Sequence, residues 1–260
     1  MSLEEFKKRI KQKEQVLYLT IEDEISNEKI IYNVKNQTTL WRSQSLYTKE
    51  PITIKWIRSF KKNSVFFDVG ANVGMYSIFS AKVSKVKVYS FEPESNNFQI
   101  LMENIISNNL VGQVKAFPIA IGEKSDFTSL YLNDFIIGSS HHMIDNPLDH
   151  NLQKKEFKIN QGVFKTSLDK IVSEWGFPMP KYLKIDVDGI ENLIIKNSKS
   201  ILKNKNLTSV LIEINRNREE DLEIITILEE NGFKYDHQQV KDATRKSGTH
   251  EGYAEYLFYK

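Results

Sequence analysis

The sequence predicts an α/β fold in which a mostly parallel sheet carries helices on both faces. Short apolar runs such as residues 65–69 and 86–91 are typical of strands that are buried on both faces. These runs alternate with segments of helical spacing, as expected of βαβ units. The chain has 260 residues, of which 40% are hydrophobic and 27% charged, and this composition is typical of a globular protein.

The first 60 residues predict a cap that precedes the sheet. Its predicted elements are a lysine-rich helix over 4–14, strands over 16–21 and 29–34, and a helix over 52–60. The last helix follows Pro51, which suits a first helical position, and has apolar residues at Ile54 and Ile57. We therefore expect residues 1–60 to form a cap of helix and strand that packs on a core domain of residues 61–260.

The core domain alternates strands and helices along most of its length. The predicted strands cover residues 65–69, 86–91, 114–121, 182–187 and 209–214, with two short closing strands at 234–235 and 254–259. The predicted helices cover residues 75–83, 95–107, 190–202 and 219–231. In such sheets ligands bind outside the carboxyl ends of the strands, so the functional residues should follow strands directly.

The segment over residues 125–167 breaks this alternation. It holds strand-like pieces at 128–132, 157–160 and 163–165 around a polar loop at 138–152. We interpret the segment as an insertion that lies over the sheet edge and shapes a substrate pocket. An irregular edge without a function is the alternative interpretation.

Composition excludes several classes of protein. The absence of cysteine excludes disulfides, thiolate zinc sites and a cysteine nucleophile. The 36 basic and 34 acidic residues give a net charge of +2, so we expect no nucleic-acid partner. No apolar run is long enough to span a membrane, and the N-terminus lacks a signal-peptide pattern, so we expect a cytoplasmic protein.

The first chemical motif lies between a predicted strand and a predicted helix. It runs from Asp68 through Gly70 and Asn72 to Gly74. Glycines let backbone N–H groups approach a ligand, and a helix N-terminus favours negative charge. A dinucleotide fingerprint would need a third glycine in place of Asn72, which argues against NAD. Glycines that merely form the turn are the alternative.

The second motif is Glu92-Pro93, at the end of the next predicted strand. A carboxylate at this place in the fold can accept two hydrogen bonds from the hydroxyls of a ribose. A strand-end carboxylate that only faces solvent is the alternative.

These motifs carry a family resemblance. The segment from Asp68 to Ser77 and the pair Glu92-Pro93 resemble motifs I and II of class I S-adenosylmethionine-dependent methyltransferases, and within them the FkbM family. The run from Lys184 to Glu191 resembles the K-I-D-V-E-G-x-E signature of that family. Supporting matches are the segment 49–57 and Asn96, Asn97 and Asn104 on the helix after Glu92. Asp188 stands where the family usually has glutamate.

The resemblance implies a fold, a cofactor and a set of binding residues. The fold is the Rossmann-like class I methyltransferase fold with a seven-stranded sheet, and the cofactor is S-adenosyl-L-methionine. The turn from Asp68 to Gly74, followed by Tyr76, would hold the methionine end, and Glu92 with Pro93 would hold the ribose. Adenine would lie beside Ala120 and Ile121, and Asp186 would lie near the transferred methyl group.

A hydroxyl acceptor also requires a general base. The candidates are Asp186, Glu191, Glu213 and the pair His141-His142. Asp186 and Glu191 flank Gly189, so we expect both to face the cleft. Histidine has a suitable pKa, although two adjacent histidines on a loop are commonly surface residues.

A divalent metal is a further hypothesis for the same strand ends. Asp186, Glu213 and Asn215 would offer the oxygen ligands that Mg²⁺ prefers. A strand-end hydrogen-bond network is the interpretation we favour, so we assign no metal ligands.

The leading hypothesis is a methyltransferase that methylates a hydroxyl of a sugar or another small metabolite. The acceptor class follows from the family resemblance alone. An NAD-dependent oxidoreductase and a non-catalytic binding module with the same fold are the alternatives. The sequence leaves open the acceptor, the base and whether the protein forms a homodimer.

Overall fold

A computed structural model describes residues 1–7, 16–147, 154–248 and 251–260. The predicted helix over 4–14 lies outside the described residues from residue 8 onward, and the predicted loop over 138–152 does so from residue 148. Within the described ranges, no helix has the length and apolar character needed to cross a membrane.

The described elements follow one another in a regular order. The strands are β1 (Leu17–Glu22), β2 (Lys29–Val34), β3 (Val65–Val69), β4 (Lys87–Phe91), β5 (Val114–Phe117), β6 (Ala120–Ile121), β7 (Asp126–Leu132), β8 (Met143–Ile144), β9 (Ile159–Thr166), β10 (Tyr182–Ile185), β11 (Ser209–Asn215), β12 (Lys234–Tyr235) and β13 (Tyr253–Tyr259). The helices are α1 (Gln37–Gln44), α2 (Pro51–Arg58), α3 (Met75–Phe79), α4 (Ser95–Ser107), α5 (Leu168–Ser173), α6 (Glu191–Lys196), α7 (Lys199–Lys203), α8 (Glu219–Glu230) and α9 (His237–Ala243), and a π-helical turn, Ser80–Ser84, extends α3.

The main sheet confirms the predicted seven-stranded, mostly parallel architecture. Its strand order is β12-β13-β11-β10-β3-β4-β5, and β13 is the strand that runs antiparallel to its neighbours. The chain first builds outward from β3 to β5 and then from β10 to the opposite edge. The order therefore reverses between β3 and β10, where an open α/β sheet forms its binding crevice.

Helices cover both faces of this sheet, as β3 illustrates. Phe66 points into a core that it shares with α2, α3 and α4. Phe67, its neighbour in sequence, points into a second core with α5 to α9. Successive side chains of a strand point to opposite faces, so an uninterrupted apolar run is what a doubly covered strand requires.

The N-terminal segment packs on the first of these cores. Ile30 and Tyr32 of β2 are buried in it together with Trp56 of α2. The Trp56 indole Nε1 donates a hydrogen bond to the Ser209 Oγ of the main sheet at 2.8 Å. The backbone N–H of Asn33 donates to the Asn104 Oδ1 on α4 at 2.7 Å. This segment therefore reaches the main sheet through both apolar packing and buried hydrogen bonds.

The insertion forms a second sheet with the strand order β6-β9-β7-β8. The prediction of one strand over 114–121 is wrong, because β5 ends at Phe117 and β6 pairs with β9 in the second sheet. Pro118 lies between the two strands. Proline has no backbone N–H to donate to a ladder, so it suits the point where the chain leaves one sheet for the other.

Two predicted helices also differ from the observed ones. The predicted helix over 190–202 is two helices, because α6 ends at Lys196. The side chains of Asn197 and Ser198 donate to the carbonyls of Leu193 and Ile194, in competition with the helical pattern. The predicted helix over 75–83 ends as α-helix at Phe79 and continues as the π-helical turn.

Helices α1, α5 and α9 are not predicted from the sequence. The α1 sequence is QTTLWRSQ, which has no apolar periodicity to mark it. The feature of the sequence that marks the start of α1 is its N-cap, where Asn36 and Thr39 form a reciprocal capping box.

Candidate active site

The carboxyl ends of β3, β4 and β10 open into a cavity of about 470 Å³. The strands supply one wall, and the loop over 139–144 together with α1 supplies the opposite side. The predicted site residues that line this main cavity are Gly70, Asn72, Glu92, Pro93, Ala120, Ile121, His141, His142 and Asp186. Ala120 and Ile121 reach it from the second sheet, where the sequence placed them on the third strand of the main sheet.

A smaller cavity shares part of this lining. It lies between the turn after β3 and the cap, and Tyr76, Lys184 and Ser45 line it. Arg42 and Asp186 line both cavities.

The turn after β3 requires glycine at two positions, because each has a positive φ and neighbouring atoms leave no room for a side chain. Gly70 has a φ of +79°, and a Cβ there would lie 1.9 Å from the backbone oxygen of Asp186. Gly74 has a φ of +83°, and a Cβ there would lie 2.4 Å from the Leu101 Cδ1 on α4. These glycines let β3 approach β10 and let the following helix pack on α4. Of the two, Gly70 lines the cavities.

Glu92 is a buried carboxylate in the cavity wall. Its Oε2 accepts a hydrogen bond from the backbone N–H of Asn72 at 2.7 Å, and its Oε1 accepts one from that of Glu94 at 2.9 Å. Burial raises the pKa of Glu92 to about 7. The two backbone bonds fix the orientation of the carboxylate at the end of β4.

Asp68 lies elsewhere than the resemblance implies. Its side chain is buried within the main sheet, where its Oδ2 accepts a hydrogen bond from the Ser77 hydroxyl at 2.5 Å. Ser77 in turn pairs with the Ser90 hydroxyl at 2.7 Å. Burial raises the pKa of Asp68 above its usual value. Asp68 lines neither cavity. Its hydrogen bonds instead tether α3 to β3 and β4 from below the turn.

Asp186 belongs to a cluster of charges in which Lys184 and Glu50 are buried and Asp186 itself is partly exposed. Its Oδ2 accepts from the Lys184 Nζ at 2.5 Å, and this ammonium also lies 5.1 Å from the centre of the Tyr76 ring. Burial raises the pKa of Asp186, but the positive charges of Lys184, Lys49 and Arg42 and the hydrogen bond from Lys184 together outweigh it and hold that pKa below its usual range. Glu50, at the start of α2, is buried beside them and pairs with Lys49 at 2.5 Å. Asp186 therefore stays ionised in the cavity wall.

The histidine pair approaches Asp188 across the main cavity. The backbone N–H groups of His141 and His142 donate to the Asp188 Oδ2 at 2.6 and 3.2 Å. The Nδ1 of His141 lies 3.2 Å from the Asp188 Oδ1, and this hydrogen bond raises the pKa of His141. The His142 Nδ1 accepts from the backbone N–H of Asn133 at 3.2 Å, and burial lowers its pKa. His141 has a φ of 65°, a rare conformation for a side-chain-bearing residue.

The two remaining candidate bases, Glu191 and Glu213, differ in whether they line the main cavity. Glu191 does not line the main cavity, so the expectation that it faces the cleft beside Asp186 is wrong. Its Oε2 instead accepts from the backbone N–H of Gly189 at 3.1 Å, in a buried position at the start of α6. Glu213 does line the cavity and pairs with Arg245 at 2.7 Å. Burial and the charge of Asp186 raise the pKa of Glu213 to about 8.

The strand ends do not assemble the oxygen cluster of the metal hypothesis. Asn215 turns its Oδ1 toward the backbone N–H of Asn217, at 2.9 Å, and it does not line the main cavity. Among the described residues, no group of three histidine or acidic side chains is placed to hold a metal ion.

Several lining residues escaped sequence reasoning. Trp41 and Arg42 come from α1, and Arg245 comes from the segment after α9. Neither segment carries an apolar pattern that would have marked it. In the sequence Asp188 stands out only as a departure from a family signature, but in the structure its side chain accepts the hydrogen bonds that hold the histidine loop.

The comparison with protein families decides the assignment. The sequence model described as "Methyltransferase FkbM domain" matches residues 68–235, which is more than half of the chain. The chain belongs to the FkbM methyltransferase family. The resemblance in the strand-end motifs is thereby confirmed, and this FkbM chain is a methyltransferase.

Individual relatives are distant. The FkbM chain is similar to the hexuronic acid methyltransferase AglP of Haloferax volcanii, with 25% identity over 192 residues that cover 74% of this chain and 72% of that protein. It is also similar to a tRNA (guanine(37)-N(1))-methyltransferase of Dictyostelium discoideum, with 26% identity over 118 residues, or 42% of this chain and 25% of that protein. The crystal structure of the methyltransferase FkbM from Methylobacillus flagellatus KT matches with 16% identity and a TM-score of 0.49, over 77% of this chain and 44% of that chain.

Proposed function

We propose that this methyltransferase uses S-adenosylmethionine to methylate a hydroxyl group of a sugar or another small metabolite. The observation that carries the proposal is the buried Glu92 carboxylate, fixed in the wall of the main cavity at the end of β4. A carboxylate in that place suits the two hydroxyls of a ribose.

The lining of the main cavity fits such a cofactor in chemical type. Glu92 supplies an acceptor for the ribose, and Phe91 with Ile121 supplies apolar surface for an adenine ring. When bound, the cofactor supplies a methyl group on a sulfonium centre whose leaving group is a neutral thioether. The protein then has mainly to orient the acceptor and to receive its proton.

We assign the role of general base to His141. The contact with Asp188 places the proton of a neutral imidazole on Nδ1 and the lone pair on Nε2, which is the arrangement a base requires. His142 has the opposite tautomer, because its Nδ1 accepts a hydrogen bond. Asp186 is a weak base beside Lys184, and Glu191 lies outside the cavity.

In this mechanism the Nε2 of His141 would accept the proton of the acceptor hydroxyl, and the bound cofactor would supply the methyl group and leave as a neutral thioether. The negative charge of Asp188 stabilises the imidazolium that results. Asp188 also holds the loop that carries the base, through the two backbone N–H groups.

A carbohydrate acceptor has two supports. The relative AglP is named as a hexuronic acid methyltransferase and aligns over most of both chains. In addition, Trp41 at the cavity mouth exposes 51% of its surface, and an exposed indole offers a flat apolar face on which a sugar ring can pack.

Calorimetric titration with S-adenosylhomocysteine, with NAD as the control, tests the cofactor. We expect one site for the first ligand and none for NAD. The Glu92→Gln variant should bind several-fold more weakly, because a neutral amide replaces a charged hydrogen-bond acceptor. Binding of NAD alone would favour the oxidoreductase alternative.

Transfer of a labelled methyl group to a panel of neutral sugars and hexuronic acids tests the acceptor. The protein could bind S-adenosylhomocysteine and yet transfer no methyl group to any acceptor in the panel, while a control sugar methyltransferase is active under the same conditions. That result would favour the non-catalytic binding module.

A further inference from the structure

Arg42 of α1 reaches the cavities from the cap. Its Nε donates a hydrogen bond to the backbone oxygen of Gly138 at 2.5 Å, which fixes the plane of the guanidinium group. Its Nη1 and Nη2 make no hydrogen bond or ion pair with any residue in the described part of the chain. Arg42 lines both the main and the smaller cavity.

The other cations in the lining have carboxylate partners. Lys49 pairs with Glu50 at 2.5 Å, Lys184 pairs with Asp186 at 2.5 Å, and Arg245 pairs with Glu213 at 2.7 Å. Among the lysine and arginine residues that the structure describes in the two linings, Arg42 is the one without an ion pair.

The shape of the free edge indicates the ligand. Two parallel N–H groups on a planar guanidinium match the two oxygens of a carboxylate. In the smaller cavity Arg42 shares the lining with the turn residues Gly70 and Asn72 and with Ser45. Ala120 and Ile121, by contrast, line only the main cavity.

We propose that Arg42 binds the carboxylate of the amino-acid end of the cofactor. The proposal rests on the proposed use of S-adenosylmethionine. It adds to the site a residue that lies outside the matched range 68–235, so the cap takes part in cofactor binding.

The same side chain couples two parts of the active site. Through Gly138 it holds the loop that leads to His141, and the Ser139 carbonyl in that loop accepts hydrogen bonds from Asn72 and Asn97. A carboxylate bound to Arg42 would therefore stiffen the anchor of the loop that carries the general base.

The test compares the binding of two probes to three proteins, the wild type and two variants, by calorimetry. The probes are S-adenosylhomocysteine and its decarboxylated analogue, which keeps the amine and lacks only the carboxylate. We expect the wild type to prefer the intact probe by roughly ten- to a hundredfold, the range of a charged hydrogen bond, and we expect Arg42→Met to bind both probes alike. Arg216→Met, at an exposed arginine that lines neither cavity, is the matched control and should behave as the wild type.

Each other outcome overturns the proposal. If Arg42→Met weakens both probes equally, Arg42 acts through the structure of the loop. If it leaves both affinities unchanged but raises the KM of a hexuronic acid and not that of a neutral sugar, the bound carboxylate belongs to the acceptor. A wild type that binds neither probe would instead refute the proposed cofactor, which distinguishes that failure from a failure of the Arg42 assignment.

Discussion

The two walls of the main cavity are built by different means. On the sheet side, backbone groups fix the wall: the N–H groups of Gly70 and Ala71 both donate to the carbonyl of Phe91, at 3.0 and 3.1 Å. On the insertion side, side chains hold a loop: the amide groups of Asn72 and Asn97 donate to the Ser139 carbonyl at 2.8 and 3.1 Å.

This difference suits the two sides of the cavity to different ligands. A wall made of strand ends and glycine packing tolerates little change, which suits a ligand that is constant. A loop tethered by side chains can change its sequence without disturbing the main sheet, which suits an acceptor that differs among relatives. We therefore expect substitutions on the sheet side to affect stability and cofactor affinity, and those on the insertion side to affect turnover and the acceptor.

The largest effect should come from the base on the insertion side. We expect His141→Gln to lower kcat by roughly 10²–10⁴-fold while the affinity for S-adenosylhomocysteine is unchanged, because the proton acceptor is lost and the sheet wall is intact. Parallel activity assays and calorimetry measure the two quantities. Loss of cofactor affinity in this variant would show that the two walls are not independent.

The pH dependence sharpens the same assignment. A base must be unprotonated, so kcat should rise with pH through the pKa of His141 and then level off. The hydrogen bond that the Nδ1 of His141 donates to the Asp188 carboxylate raises that pKa above the usual 6.5, so this limb should lie above 6.5. Asp188→Asn should move the limb to lower pH, and a pH profile that Asp188→Asn leaves in place would exclude His141 as the titrating group.

The next effect tests the rigid wall. Gly70→Ala should reduce the free energy of unfolding by about 3 kcal/mol or more, because the new Cβ would collide with the Asp186 backbone and the positive φ strains a side-chain-bearing residue. Urea denaturation measures the loss. Gly162→Ala on β9, where no heavy atom lies within 4 Å of the added Cβ, is the control and should be nearly neutral.

The smallest effect concerns the tether of the loop. Asn97→Ala should cost about 1–3 kcal/mol of stability, because the backbone N–H of Gly138 loses its buried acceptor at 2.7 Å. We also expect the acceptor KM to rise while affinity for S-adenosylhomocysteine holds. Asn96→Ala, at a neighbour whose side chain forms no hydrogen bond in the described structure, is the matched control. Equal effects of the two variants would argue against a tethering role.

Local patterns in the sequence were enough to predict the strands of the main sheet, the glycine turn and the position of Glu92. An apolar run of five residues, a turn of glycines and a helix start are properties of adjacent residues. Parallel strands bring their carboxyl ends to one edge, so strand-end motifs could be assigned to a common site. Two of the departures occur where Pro118 ends a strand and where Asn197 and Ser198 end a helix, because these residues compete locally with the periodic pattern.

The direction of each side chain and the pairing of distant segments were decided by the tertiary structure. Asp68 precedes the turn in sequence, yet strand alternation directs it to Ser77 below the turn, and Glu191 turns back to the Gly189 N–H. Asp188 meets the backbone of His141 across 47 positions of sequence. Arg42 meets Gly138 across 96. Such contacts depend on how the insertion and the cap fold against the sheet, and no spacing within one segment encodes them.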